Sequence, residues 1–108
     1  MFQEQNRNEY LKYIEITDHA RAIRPKYEDM FWRQPNAYAV GIGVHVDEKG
    51  YDLEEPDGEG GCKSVVGFII RVTERVDQSA LPPEDRIPSI LEGVPVQIRE
   101  EPDGFEFP

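Results

Sequence analysis

Cysteine is all but missing from this chain: Cys62 is the only one in 108 residues. A single thiol cannot close a disulfide within the chain, so nothing points to an oxidising compartment. Long apolar runs are missing as well. The longest are a few residues, far short of the ~20 that a membrane-spanning helix needs. The opening Met1-Phe2-Gln3-Glu4-Gln5-Asn6 has neither the basic start nor the apolar stretch of a secretory signal. These absences make the cytoplasm the expected location, with no membrane partner.

Motifs that hold phosphates or metals are missing too. No Gly-x-x-x-x-Gly-Lys-Ser/Thr occurs, and Gly41-x-Gly43 falls inside a strand pattern with no helix after it, so nucleotide binding has no support. The two histidines, His19 and His45, belong to no spaced His/Cys motif of the kind zinc sites use. No cofactor is expected. Basic charge is scarce in the second part of the chain. Up to Arg33, six basic residues balance six acidic ones; after it six face sixteen, so the whole net charge of −10 lies there. A surface of that sign repels nucleic acid at long range and removes DNA and RNA from the expected partners. A basic partner or a cation is electrostatically easier, although acidity also serves solubility.

What the chain does have is strand periodicity. Tyr38, Val40, Ile42, Val44 and Val46 alternate with Ala39, Gly41, Gly43 and His45, the mark of a strand with one apolar face and one nearly bare face. Ser64 to Arg75 repeats the pattern, with Val66, Phe68, Ile70 and Val72 on one side and Val65, Gly67, Ile69, Arg71 and Thr73 on the other. Val94, Val96 and Ile98 make a third, shorter strand, and the Pro95 between them favours an edge position.

Upstream, Tyr13, Ile16, Ala20, Ile23, Tyr27 and Met30 recur at spacings of three and four, the stripe of an amphipathic helix capped by Asn6 or Asn8. Pro25 lacks a backbone donor and disfavours helical dihedrals at Arg24, so two helices are expected, the second opening at Pro25. Residues 48–61 are read as a long acidic loop joining the first two strands. Glu54-Glu55-Pro56-Asp57-Gly58 recurs as Glu100-Glu101-Pro102-Asp103-Gly104, which reused turn chemistry explains.

The pieces predict an α+β fold: a two-layer sandwich with N-terminal helices packed on a small, at least partly antiparallel three-stranded sheet. One domain is expected over residues 9–99, after a flexible N-terminus over 1–8 and before an acidic tail over 100–108.

Pro35-Asn36-x-x-x-Val40-Gly41-Ile42-Gly43-Val44, followed by Leu81 and Ile87-Pro88-Ser89-Ile90-Leu91-Glu92-Gly93-Val94-Pro95-Val96-Gln97-Ile98, resembles a segment upstream of the catalytic domain in some bacterial and plant trypsin-like serine proteases. The resemblance covers residues 27 to 100 and implies a compact accessory α/β unit. The Gly-Asp-Ser-Gly of a trypsin-like nucleophile region is absent, and the acidic insertion and the long N-terminal helix depart from the family's pattern.

Few residues offer chemistry. His45 and Asp47, two apart on a strand, could form an acid–base or metal pair, or simply a hydrogen-bonded strand end. Cys62 beside Lys63, after two glycines, is the one candidate nucleophile, since a neighbouring ammonium lowers a thiol pKa. The carboxylates of the acidic loop do not follow the EF-hand spacing. Surface features are more informative. Phe31 and Trp32 cannot both face the core of one helix, and the face made by Gly41, Gly43, Val65, Gly67 and Ile69 is flat, apolar and in need of a cover. The expected function is therefore that of a small acidic non-enzymatic protein-interaction or regulatory module. It would bind a protein partner or a second copy of itself as a homodimer. A small enzyme or redox module using Cys62, or a cation-binding regulator using the acidic loop, is the alternative.

Overall fold

The computed structural model describes the backbone of residues 4–101 and the side chains of residues 14–101. Its helical layer is one helix, α1 (Glu4–Trp32), with Pro25 inside it. The expected break does not occur. Pro25 lies on the exposed side, while Ile16, Ala20 and Ile23 before it and Tyr27, Met30 and Phe31 after it pack into the same core. The two halves of the stripe are in phase, so burying both outweighs the ~3 kcal/mol that an internal proline costs. A bidentate contact from Arg24 to Glu28, with Nε to Oε2 at 2.9 Å, also spans the proline. The helix runs through Asn6 and Asn8, which therefore do not cap it, and through residues 4–8, where a flexible start was expected. The side chains of Tyr10 and Tyr13 lie outside the described residues.

After the helix, Asn36 takes a left-handed conformation (φ 66°), and its amide donates to the Glu74 carbonyl at 3.0 Å. Strand β1 (Ala37–Val44) follows, then two short strands, β2 (Glu54–Pro56) and β3 (Cys62–Ser64), then β4 (Val66–Val72). Two 3₁₀ turns, Gln78–Ala80 and Pro83–Asp85, lead to β5 (Ile90–Leu91) and β6 (Val94–Glu100). The main sheet has the order β1-β4-β6-β5, with β4 antiparallel to β1 and parallel to β6; β2 and β3 form a separate antiparallel pair. The α+β class holds, whereas among the described residues the main sheet has four strands and the helical layer one member. The third expected strand, β6, lies between β4 and the two-residue β5, which covers only Val94 and Pro95.

The core lies between α1 and the inner sheet face. Phe68, Ile70 and Val72 of β4 and Val94 of β6 are fully buried there with Phe31 of the helix, whose ring meets that of Phe68 at 4.9 Å between centroids. Phe31 is thus core, and Trp32 is the aromatic that reaches solvent. In β1 the register shifts between Ala37 and Ala39. The shift packs Ala37 into the core and releases Tyr38, which the alternation had placed inside, so that its hydroxyl donates to the Glu101 carbonyl at 3.0 Å. At the other end of the sheet Glu92 (φ 48°) and Gly93 (φ 84°) make a tight turn between β5 and β6.

Candidate functional site

The bare glycine face proves to be furnished by the chain itself. The Ile69 side chain lies over Gly43 and the Arg71 guanidinium over Gly41, where a Cβ would stand 3.3 and 3.7 Å from them. Sequence alternation assigns faces correctly but does not show that side chains on β4 lean across glycines on β1. Further along the same face, Arg99 is hydrogen-bonded to the Val44 carbonyl and to Gln97 Oε1, at 3.0 and 2.9 Å. Glu101 lies 3.4 Å from Arg71 and 3.8 Å from Arg99. Burial and the neighbouring Arg71 lower the Arg99 pKa, with Glu101 opposing them. Gln97 also grips the backbone N–H and carbonyl of Val46, drawing the end of β1 across the sheet. Ile69 is 3% exposed and Gly67 is buried, so neither presents a docking surface; Gly41, Gly43 and Val65 are half-buried. Side chains of β4 therefore stand over the glycines that looked bare in the sequence.

The candidate catalytic pairs are not assembled. His45 is 3% exposed, and its Nε2–H donates to the Phe68 carbonyl at 2.9 Å. Burial holds its pKa below the ordinary value, with the Phe68 carbonyl working in the opposite direction. Asp47 instead faces solvent, where its Oδ1 accepts the N–H groups of Lys49 and Tyr51 at 2.8 and 3.0 Å. His19 is elsewhere again, donating from Nε2 to the Glu92 carbonyl at 2.8 Å. Cys62 is exposed on β3, opposite Pro56; Lys63 pairs with Glu55 at 3.8 Å. Among the described residues no three His, Cys, Asp or Glu side chains converge as a metal site would require.

The segment read as a loop is built. Asp47 closes a small turn with a hydrogen bond to the Tyr51 carbonyl at 2.8 Å, and Val46 bridges to Asp52. Leu53 then inserts its backbone between the two strands: its N–H donates to His45 and its carbonyl accepts from Val65, both at 2.9 Å. Beyond it β2 and β3 form a hairpin whose turn is organised by Asp57, which accepts from Glu59 and Gly61 at 2.7 and 3.1 Å. Residues 47–64 thus form a hydrogen-bonded arm carrying seven carboxylates and two lysines. Tyr51 and Leu53 stand among those carboxylates, 70% and 38% exposed. Composition showed the acidity of this stretch; Tyr51 and Leu53 were legible only as two apolar side chains in a polar run.

A second constellation joins helix to turn. Glu92 Oε2 accepts from Tyr27 Oη at 2.6 Å and from Lys26 Nζ at 3.0 Å. The Tyr27 and Lys26 hydrogen bonds hold the Glu92 carboxyl below its ordinary pKa, and Glu92 in turn raises both Tyr27 and Lys26. Nothing in the sequence links these residues, which are 65 positions apart.

No family model, curated protein or solved structure matches this chain. No helix among the described residues is long and apolar enough to cross a membrane.

Proposed function

We propose that this chain is a non-enzymatic protein-interaction module that offers its acidic arm, residues 47–64, to a basic surface on a partner protein. The observation that carries this reading is the placement of Tyr51 and Leu53, exposed amid carboxylates on an arm already fixed by its own hydrogen bonds. Exposed aromatic anchors supply binding energy, surrounding charge steers association, and a preformed arm loses little entropy on docking. At the contact between helix and turn Glu92 is lowered and Lys26 is raised, opposite to the shifts that acid–base catalysis near neutral pH uses.

The test is affinity capture from the source cell with the full chain, comparing the natural arm with a Tyr51→Ser/Leu53→Ser double variant at two salt concentrations. A partner retained by the natural arm, and lost both with the variant and at high salt, is the expected result. Identical captured sets for the two arms would overturn the reading.

A further inference from the structure

The strand β6 has a second side that β5 covers only at its beginning. Glu101 N–H donates to the Val72 carbonyl and Val96 N–H to the Ser89 carbonyl. Odd-numbered peptide groups of β6 therefore face β4, and those of Val96, Ile98 and Glu100 face outward. Beyond Pro95 no strand among the described residues lies along that outer side. A side chain occupies it instead. Arg75 donates from Nη2 to the Ile98 carbonyl at 2.9 Å, and its own N–H is received by Glu100 Oε1 at 2.8 Å. A guanidinium thus stands where the N–H of a neighbouring strand would be.

Two cavities flank this edge, and Arg75 and Gln97 line both. The smaller, about 390 Å³, is bounded by Ile87, Pro88, Ser89, Val96 and Ile98. The larger, about 650 Å³, is bounded by Asp47, Glu48, Arg99, Glu100 and Glu101. Val96 and Ile98 belong to the inner side of β6, Arg99 and Glu101 to the outer side. One cavity sets the side chains of Ile87, Pro88, Val96 and Ile98 beside the polar Arg75, Ser89 and Gln97. The other is acidic, with four carboxylates against the guanidiniums of Arg75 and Arg99. That two-sidedness matches an extended chain, whose successive side chains point to opposite faces.

We propose that the outer edge of β6 is a strand-addition site for an extended segment of a partner protein in which apolar and basic residues alternate. Arg75 is the latch that the incoming backbone displaces. Apolar side chains enter the cavity beside Ile87 and Ile98, basic ones the cavity beside Asp47, Glu48 and Glu101, and the segment's backbone takes over the Ile98 carbonyl. The site shares Asp47, Glu48 and Gly50 with the acidic arm and does not depend on the arm's role.

The probe is the peptide acetyl-Val-Lys-Val-Lys-Val-Lys-amide, titrated into the full ¹⁵N-labelled chain. Amide shifts are expected to concentrate on Val96–Glu101 and Arg75. Arg75→Ala should tighten binding roughly fivefold, because the edge no longer has to be vacated. Ile98→Pro removes an outward N–H without touching the ladder to β4, and should weaken binding about tenfold. Should that variant fail to fold, the same peptide N-methylated at alternate residues tests the backbone contacts from the ligand side. Absence of shifts at millimolar peptide, equal binding of acetyl-Val-Glu-Val-Glu-Val-Glu-amide, or an affinity unchanged by Arg75→Ala would each overturn the proposal. The Tyr51→Ser/Leu53→Ser variant is expected to bind the peptide normally, so this reading and that of the arm fail separately.

Discussion

Gly67 passes against the carbonyl group of Pro95 so closely that a methyl group on it would collide with that oxygen and carbon, and would stand 3.2 Å from His45 Nε2. The obstacle is backbone on the parallel side of the sheet and cannot rotate away. Gly67→Ala is expected to destabilise the fold by about 3 kcal/mol or more, read as a lower midpoint in urea. An unchanged midpoint would mean that β4 and β6 do not approach in this way.

Pro25 gives a test with the opposite sign. It sits exposed within a continuous helix, where its missing N–H and its ring both disfavour the turn. Pro25→Ala should raise stability by about 1–3 kcal/mol. If Pro25 opened a separate second helix, the substitution would be close to neutral.

His45 sets a pH dependence. Its folded-state pKa lies below the ordinary 6.5, so in the interval between the two values the unfolded chain binds the extra proton. Stability is therefore complete above ~6.5 and falls as pH drops below it, by at most about 1.4 kcal/mol per pH unit, until the folded-state value is reached. Glu28 and Glu92, whose pKa values are also lowered, act only below their ordinary value of 4.5. Thermal melts between pH 7.5 and 5 should show this slope in the natural chain and a flatter one in His45→Gln.

Gln34 is 2% exposed, and neither atom of its side-chain amide has a hydrogen-bond partner among the described residues. Burying unpaired polar atoms is costly, whereas an apolar side chain of similar shape is not. Gln34→Met should stabilise the protein by about 1–2 kcal/mol in chemical denaturation. A loss of stability would show that the amide is satisfied in solution.

The strands were legible because alternation is a property of neighbouring residues: Val66, Phe68, Ile70 and Val72 announce a buried face, and the fold uses it. What stayed hidden depends on residues far apart in the chain. The phase match that carries α1 through Pro25 outweighs the local penalty only because both halves meet the same sheet. The glycines of β1 look bare in one strand and become covered once Ile69 and Arg71 lie beside them. His45, just after β1, read as one of a pair with Asp47 or as a hydrogen-bonded strand end; its partner is instead the Phe68 carbonyl, 23 positions away. The Tyr27–Glu92 contact could not be anticipated, because Glu92 adopts a left-handed turn conformation that glutamate seldom takes.

The position of β4 bears on how the molecule assembles. Ile70 pairs with Val40 on one side and Ile98 on the other, 30 residues upstream and 28 downstream. Closing loops of such similar length differs by less than about 0.1 kcal/mol in chain entropy. Loop length alone gives neither flank a head start, so the order in which β1 and β6 dock rests on what lies between. Upstream that is an arm with hairpins of its own, able to draw β1 towards β4 by local contacts. Downstream it is a proline-rich crossover with two short turns. The antiparallel half of the sheet should therefore form first, with β6 closing onto it last.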